Sequence, residues 1–307
     1  MSGSNPDPAE SLEAVAARPT GLLTAEWRHV VILSYPADPI LLTPFLPGIV
    51  EVDLWNGQAF VSLVGLLFEP TRVLGVRLPF HRRFEQINLR FYVRRRVGDD
   101  WRRGVVFVKE IVPYRSLVIA ARLLYRQNYE FAHMRHRFES IGAESKDQQF
   151  DAERNNLEIR AVDHFSGEQG PATFVEYCWR RSGRWNTLGL RTAGSFEVPS
   201  AGSLQEFVSE RRWGYAATRA RRVLEFEVRR PVWVASDGAG WLDCDSARIY
   251  GAPFGDILRS EPASALMAAG SSVGLSHSRA FLFINSWLPR YFAPGLFLAN
   301  AQEAGVR

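Results

Sequence analysis

Residues 86–112 read QINLRFYVRRRVGDDWRRGVVFVKEIV, and they carry the clearest structural pattern in the sequence. Apolar and polar residues alternate over the first third of this stretch, as they do in a β-strand, where successive side chains point to opposite faces. Asn88 and Arg90 are therefore predicted on one face of the strand, and Leu89 and Phe91 on the other. The Gly-Asp-Asp that follows is typical of a turn, and the apolar run after it is predicted as the antiparallel partner strand.

Strand patterns recur along most of the chain, whereas helical patterns are few. Further strands are predicted at residues 59–68, 157–162, 172–181, 184–191, 223–234 and 272–277. Helices are predicted at residues 116–125, from the S-x-x-E capping box that starts at Ser203, and at residues 262–269. This order of elements predicts a β-rich α+β fold, as a closed antiparallel β-barrel or a curved sheet with flanking helices.

The two ends of the chain are predicted to lie outside this folded domain, which is expected over residues 22–279. Residues 1–21 are rich in Pro, Ser, Ala and Glu without the pattern of a signal peptide, so a disordered lead-in is predicted. Residues 280–307 form an apolar extension that is expected to pack on the domain or on a partner subunit, as a homo-oligomer. A transmembrane segment is not predicted there, because Asn285, Pro289, Arg290 and Pro294 interrupt the apolar run.

Charge and cysteine content limit the classes of partner and compartment. The chain of 307 residues has a net charge of +4, but its basic residues are scattered and only Lys109 and Lys146 are lysines. Without a long basic run or a nucleic-acid-binding motif, no nucleic-acid partner is predicted. Cys178 and Cys244 lie in apolar or mixed runs without a C-x-x-C motif, so free thiols in the reducing cytoplasm are expected.

Several kinds of catalytic or cofactor site are not indicated by the sequence. His133 and His136 are three residues apart, but the alternation around them predicts a strand, which sends them to opposite faces and argues against a metal site. A nucleophile elbow is not predicted, and a glycine-rich phosphate loop is missing from the sequence. Neither a metal nor a cofactor is therefore predicted.

Lys109 and Glu110 are the candidates for catalytic residues. A lysine that is desolvated in an apolar interior can lose its proton and form a Schiff base, and this sequence keeps one of its two lysines in the apolar run GVVFVKEIV. The alternative interpretation is a lysine at the end of a strand that extends to solvent. Since neighbouring strand residues face opposite ways, Lys109 and Glu110 are not both expected inside without a bulge.

Four blocks of sequence occur in the order and at the spacing of a known family: LTAEWRHVVILSYPADPILLTPFLPG, FHRRFEQINLRFYV, GVVFVKEIVPYRSLVIAARLLY and GSLQEFVSERRWGY. With these blocks the chain resembles the YqjF-like family of uncharacterised bacterial proteins over residues 23–275. The resemblance implies the acetoacetate decarboxylase-like fold, which is a closed, cone-shaped antiparallel β-barrel with a central pocket and flanking helices. It therefore implies the same fold class as the strand pattern predicts.

The sequence departs from the resemblance at the residues that would carry chemistry. Acetoacetate decarboxylase uses a Schiff-base lysine, and the resemblance places that position at Asn128 and Tyr129, which have no amine. Arg122 does match an arginine of the preceding helix in that enzyme. Gln86 and Gln127 stand where the YqjF-like pattern has glutamate, and an amide keeps the shape of a carboxylate while losing its capacity to accept a proton.

A binding site is predicted on the polar face of the strand at residues 86–96. Helices outside the barrel are expected to cover Leu89 and Phe91, which turns Arg90 inward toward a central pocket. An arginine fork binds carboxylates bidentately, and aromatic walls exclude water. The predicted ligand-binding residues are Asn88, Arg90, Tyr92, Arg122, Tyr125, Tyr129, Trp213 and Tyr215. The alternative is that these arginines form salt bridges on the surface.

The function predicted from the sequence is the binding of a small polar or carboxylate-bearing organic molecule in a central barrel pocket. The alternative is a lyase or decarboxylase that acts on a keto acid, with Lys109 as the nucleophile and Glu110 as the acid or base.

Overall fold

The first residue that the structure describes is Leu23, at the start of the first strand. The structure is a computed structural model and describes residues 23–73, 76–77, 83–122, 127–140, 173–217, 223–269 and 271–276. The predicted lead-in at residues 1–21, the predicted strand at residues 157–162 and the apolar extension at residues 280–307 lie outside the described residues. The domain limits that depend on them stay predictions.

Strands dominate the described residues, as the alternation predicts. They are β1 (Leu23–Ala37), β2 (Glu51–Val52), β3 (Ala59–Val73), β4 (Val76–Arg77), β5 (Phe84–Val97), β6 (Asp100–Val112), β7 (Tyr129–Phe131), β8 (His133–Ser140), β9 (Thr173–Arg181), β10 (Arg184–Thr192), β11 (Trp213–Ala217), β12 (Val223–Arg229), β13 (Ala235–Asp237), β14 (Ala239–Asp243), β15 (Ser264–Ala268) and β16 (Ser271–Ser276).

These strands form two sheets. The larger sheet has twelve strands and follows the order β13-β15-β1-β16-β12-β11-β6-β5-β3-β4, with β2 paired to β5, β7 paired to β6, and a further pairing of β1 with β3. The smaller sheet has four strands in the order β14-β10-β9-β8. The predicted closed antiparallel β-barrel is wrong, because the strands are divided between two sheets and are not all antiparallel: β6 pairs in parallel with both β7 and β11.

Helices are short and few in the described residues. They are α1 (Pro39–Leu42), a 3-10 helix (Thr43–Phe45), α2 (Arg115–Ala120), α3 (Leu204–Ser209), α4 (Ser246–Tyr250) and α5 (Phe254–Ile257). The predicted cap of α3 is confirmed, since the Ser203 side chain accepts a hydrogen bond from the Glu206 backbone N–H. None of these helices is long and apolar enough to cross a membrane.

Two helix predictions need correction. The segment 262–269 is not a helix, because its residues form β15, which pairs with β1 on one side and β13 on the other. Such cross-strand pairing overrides a weak helical propensity. The α2 helix begins after Tyr114 rather than with Ser116 as its cap.

The larger sheet buries both of its faces. One face packs on the smaller sheet, and we call it the inter-sheet face; it carries Leu33, Leu63 and Phe91, which form one core with Tyr177 and Trp179 of β9. The opposite face is covered by Phe207 and Val208 of α3 and by Trp233, and we call it the α3 face. The apolar side of β5 was expected to be covered by outer helices, but the smaller sheet covers it instead.

The β5–β6 hairpin contains the irregularity that matters for the site. Leu89 lies opposite Lys109, whereas Arg90 lies opposite Phe107, so Val108 is an extra residue in β6. A bulge of this kind shifts the alternation of the strand that contains it. As a result, Glu110, which pairs with Asn88, lies on the α3 face together with Phe107.

Candidate functional site

The α3 face of β5 carries a row of buried polar side chains. Gln86, Asn88, Arg90 and Tyr92 are all buried, and Arg90 is only 6% exposed. Their shared face follows from the alternation that the sequence shows, which the structure confirms. The apolar residues Leu89 and Phe91 on the other side are fully buried in the inter-sheet core.

A chain of hydroxyl groups joins this row to α3. The Ser34 Oγ lies 2.7 Å from the Ser62 Oγ, which lies 2.6 Å from the Tyr92 hydroxyl. The Tyr92 hydroxyl also donates to the Val208 carbonyl at 3.3 Å. Because these hydroxyls contact one another and a helix carbonyl, they hold α3 on the sheet and are not left without partners.

Three arginines donate to the last carbonyls of α3. Arg90 Nη2 donates to the Val208 carbonyl at 3.1 Å, and Arg211 Nε donates to the Phe207 carbonyl at 2.6 Å. Arg230 Nη2 donates to the Ser209 carbonyl. Cations near a helix C-terminus are favourable, because the unpaired carbonyls there carry partial negative charge.

The three guanidinium groups differ in how their charge is balanced. Arg211 pairs with the buried Asp53 at 2.6 Å, and Arg230 pairs with Glu210 at 3.1 Å. Arg90 has no carboxylate within salt-bridge distance among the described residues, and its buried Nε has no hydrogen-bond partner there. This part of the α3 face therefore holds one more buried cation than it has carboxylates among those partners.

The pKa values of the two paired arginines are lowered mainly by burial. Burial, and then the guanidiniums of Arg212 and Arg90, lower the pKa of Arg230 to about 10, while Glu210 acts in the opposite direction. Burial also lowers the pKa of Arg211, and Asp53 opposes that shift. An anion placed beside Arg90 would relieve the repulsion.

Asn88 and Glu110 continue the row next to Arg90. Glu110 accepts a hydrogen bond from Gln86 Nε2 at 2.7 Å through its Oε1. Its Oε2 and the Asn88 Oδ1 are buried without a hydrogen-bond partner in the described part of the chain. Burial raises the pKa of Glu110 to about 8, although hydrogen bonds from Tyr129 and Gln86 act against the shift.

Lys109 lies on the other face of β6. Its amine forms a salt bridge with Glu130 at 3.1 Å and donates to the Ile249 carbonyl, and it lies 5.8 Å from the centre of the Tyr250 ring. Arg181 of the smaller sheet binds the same Glu130 at 2.7 Å. Lys109 and Glu110 thus point to opposite faces of the sheet, as the alternation at these two positions predicts.

The remaining predicted binding residues are only partly brought together. Tyr129 joins the row, since its hydroxyl lies 3.4 Å from Gln86 Nε2. Arg122 is exposed and donates to the Tyr129 backbone carbonyl at 2.8 Å. Trp213 stacks on Arg102, and Tyr215 belongs to the inter-sheet core, so neither joins the α3 face. Tyr125 lies outside the described residues.

The two histidines considered as metal ligands lie on β8, as predicted. His136 is largely buried and lies 2.8 Å from the Glu85 carboxylate, whereas His133 is exposed. Within the described ranges, no three His, Cys, Asp or Glu side chains come together in a group that could hold a metal ion.

Two features of the structure were not found from the sequence. The first is a set of charged residues that meet near the end of α3: Asp53 after β2, Glu210 and Arg211 after α3, and Arg230 after β12. They lie far from β5 in sequence, and only the capping box at Ser203 signals that a helix begins nearby.

The second feature that was not found from the sequence is an open cleft of about 340 Å³. It is lined by residues 194–195, 197–200, 203, 205, 235–237 and 266, of which none belongs to the polar row.

Comparison with known proteins identifies related sequences and folds. The family model DUF2071, described as "Uncharacterized conserved protein", matches residues 24–272. The uncharacterized protein YqjF of Bacillus subtilis is 28% identical over 115 residues, which are 37% of this chain and 46% of that protein. The chain therefore matches a little under half the length of that relative.

Solved structures with the same fold are much more distant in sequence. Acetoacetate decarboxylase of Legionella pneumophila aligns with a TM-score of 0.52 and 12% identity, over 90% of this chain and 96% of that one. The enduracididine biosynthesis enzyme MppR, solved with pyruvate, aligns with a TM-score of 0.51 and 14% identity, over 86% and 90% of the two chains. An acetoacetate decarboxylase-like enzyme of Sphingomonas wittichii aligns with a TM-score of 0.51 and 13% identity, over 84% and 93%.

Proposed function

Since this chain belongs to the DUF2071 family of uncharacterized conserved proteins and has an acetoacetate decarboxylase-like fold, we propose that it binds a small carboxylate-bearing molecule on the α3 face of β5. Arg90 and Asn88 are the residues that would contact the carboxylate. The proposal concerns binding and involves no covalent step.

The observation that carries this proposal is the unbalanced charge of Arg90. This guanidinium is 6% exposed, has a buried Nε without a partner, and lacks a carboxylate within reach among the described residues. A buried unpaired charge is destabilising, and replacing it by an apolar side chain is often neutral or stabilising. A ligand carboxylate would supply the missing charge and accept from the free Nε, in the geometry that arginine favours.

Asn88 supports the same position for the ligand. It follows Arg90 in the row, is 3% exposed, and has a buried Oδ1 without a partner in the described part of the chain. Buried polar groups are normally hydrogen-bonded, so two neighbouring exceptions on one face indicate a missing partner. The MppR enzyme, which was solved with pyruvate, makes pyruvate a reasonable first probe.

The test is calorimetric titration of the protein with pyruvate, and with methyl pyruvate as the uncharged analogue, in a buffer without carboxylates. We expect pyruvate to bind and the ester to bind more weakly. The Arg90→Met variant should lose about 10- to 100-fold in affinity, since a hydrogen bond to a charged group contributes about 1.5–3 kcal/mol. Arg90→Lys, which keeps the charge but loses the fork, should lie between the two.

Arg94→Met is the matched control for this experiment. Arg94 lies on the same strand and face, but it is 38% exposed and already paired with Glu51 at 2.6 Å. Its removal should leave pyruvate affinity unchanged. Equal binding of pyruvate by wild type and Arg90→Met, or failure of a panel of small carboxylates to bind wild type at all, would contradict the proposal.

No observation favours the alternative of a lyase in which Lys109 and Glu110 act together. The two side chains lie on opposite faces of β6, and the amine of Lys109 is engaged by Glu130 and the Ile249 carbonyl. A nucleophile and its acid or base need to lie within hydrogen-bond reach of the same reacting group. Binding through Arg90 is therefore the function that the geometry supports best.

A further inference from the structure

The two carboxyl oxygens of Glu110 have different surroundings. Oε1 accepts a hydrogen bond from Gln86 Nε2 at 2.7 Å, whereas Oε2 is buried without a hydrogen-bond partner in the part of the chain that the structure describes. An amide N–H group only donates, so the oxygen that faces it must act as an acceptor. A proton on this carboxyl group is therefore placed on Oε2, which has no acceptor within hydrogen-bond distance in the described ranges.

Glu110 is held next to the proposed anion site by the bulge in β6. Because Val108 is the extra residue, Glu110 pairs with Asn88 and shares the α3 face with Arg90. Cross-strand partners on one face have Cβ atoms about 5 Å apart, and diagonal neighbours about 7–8 Å. A ligand bound to Arg90 and Asn88 thus comes within reach of Oε2.

We propose that Glu110 is a specificity-determining residue, whose Oε2–H donates a hydrogen bond to an oxygen of the bound molecule while Arg90 balances the negative charge. This inference rests on the proposed function. It selects a small monoanion that presents an oxygen acceptor to Glu110, and it disfavours a ligand that presents an N–H donor there. An ionised Glu110 would have no proton to donate and would repel the anion.

The groups that face Glu110 are few among the described residues. They are Gln86 and Asn88 on β5 and Tyr129 on β7, with the Arg90 charge further along the same face. The pKa of Glu110 is about 8, because burial outweighs the opposing hydrogen bonds from Tyr129 and Gln86. The proton on Oε2 is therefore present at pH 7 and mostly lost at pH 9.

The test is the pH dependence of pyruvate affinity between pH 6 and 9.5, measured by titration calorimetry. Pyruvate stays ionised throughout this range. We expect the affinity of wild type to be constant below pH 7 and to fall about tenfold between pH 7 and pH 9, as the protonated fraction of one group with a pKa near 8 does. Glu110→Gln keeps a donor in the same place, so it should bind at pH 7 within about threefold of wild type and lose the pH dependence.

Tyr129→Phe controls for the other titratable side chain facing Glu110: the fall in affinity should remain and move to higher pH, because Tyr129 lowers the pKa of Glu110. Three results would distinguish a failure of this inference from a failure of the proposed function. Binding that requires Arg90 but is constant from pH 6 to 9.5, or a Glu110→Gln variant that keeps the wild-type pH profile, overturns this inference alone. Failure of wild type to bind pyruvate and other small carboxylates overturns the proposed function, and this inference with it.

Discussion

Arginine takes different roles on the α3 face, at Arg90, Arg211 and Arg230. All three donate to carbonyls at the end of α3, and all three are buried. Arg211 and Arg230 have carboxylate partners, and removing Arg211 would take the nearest cation from the buried Asp53, which is destabilising. Arg90 leaves no such partner behind, so its contribution is expected in binding rather than in stability.

The proton on Glu110 gives a prediction for the free protein. Burial raises the pKa of Glu110 in the folded protein to about 8, from the ordinary glutamate value of 4.5. Between these two values the folded state holds a proton that the unfolded state has released, so stability is highest below the lower value and falls as pH rises toward 8. The slope for one proton is about 1.4 kcal/mol per pH unit.

We expect this slope to appear as a difference between wild type and Glu110→Gln. Urea denaturation at several pH values from 4 to 9 measures the free energy of unfolding of both proteins. Wild type should lose stability relative to the variant as pH rises from about 5 to 8, and the two curves should run parallel outside this range. Parallel curves over the whole range would mean that Glu110 is ionised in the folded protein.

At the level of elements, local signals in the sequence predicted some structures and missed others. The β5–β6 hairpin and the capped start of α3 were predicted, because alternation, a turn and a capping box are local patterns. The strand β15 was predicted as a helix, since its identity depends on pairing with β1, more than 200 positions earlier in the chain. Local propensity does not contain that information.

The candidate site was predictable only where it depends on local sequence patterns. Alternation placed Asn88 and Arg90 on one face, but it did not show that Arg90 is buried and Arg94 half-exposed, because α3 covers only the former. The position of Glu110 depends on the bulge at Val108, for which the sequence gives no signal. A bulge is recognised from strand register, which a single sequence does not specify.

The contact between the two sheets gives a prediction at the same scale. Gly65 of β3 lies under Tyr177, and a Cβ atom at this position would meet the Tyr177 ring at 2.5 Å and Leu188 at 3.1 Å. The ring is held in place, because the Tyr177 hydroxyl donates to the His29 carbonyl at 2.8 Å. The close approach of β9 and β10 to β3 therefore depends on the missing side chain.

Gly65→Ala should destabilise the protein by about 1–3 kcal/mol, as overpacking of a well-filled core does. Gly48→Ala is the matched control, since a Cβ atom there has nothing within 4 Å, and it should change stability by less than about 0.5 kcal/mol. Thermal and urea denaturation measure both effects. A neutral Gly65→Ala would show that the sheets can move apart at this point.

At the level of the whole molecule, the larger sheet separates two groups of charged side chains. The α3 face holds Arg90 and Glu110, whereas the inter-sheet side holds Lys109, Glu130 and Arg181. The second group joins the two sheets, because Arg181 lies on β9 and the other two lie on β6 and β7. It serves the packing of the sheets, and the proposed anion site lies across the backbone from it.

This separation predicts that Lys109 does not form a Schiff base in the folded protein. The amine must be neutral and free to attack a carbonyl, but it is paired with Glu130 at 3.1 Å, donates to the Ile249 carbonyl and is 14% exposed. Incubation with pyruvate and borohydride, followed by peptide mass analysis, should leave Lys109 unmodified. In the urea-denatured protein, where these contacts are lost, the same treatment should modify it. Trapping of pyruvate on Lys109 in the folded protein, at the rate seen after denaturation, would reverse the assignment, because the reactive amine would then lie on the face opposite Arg90.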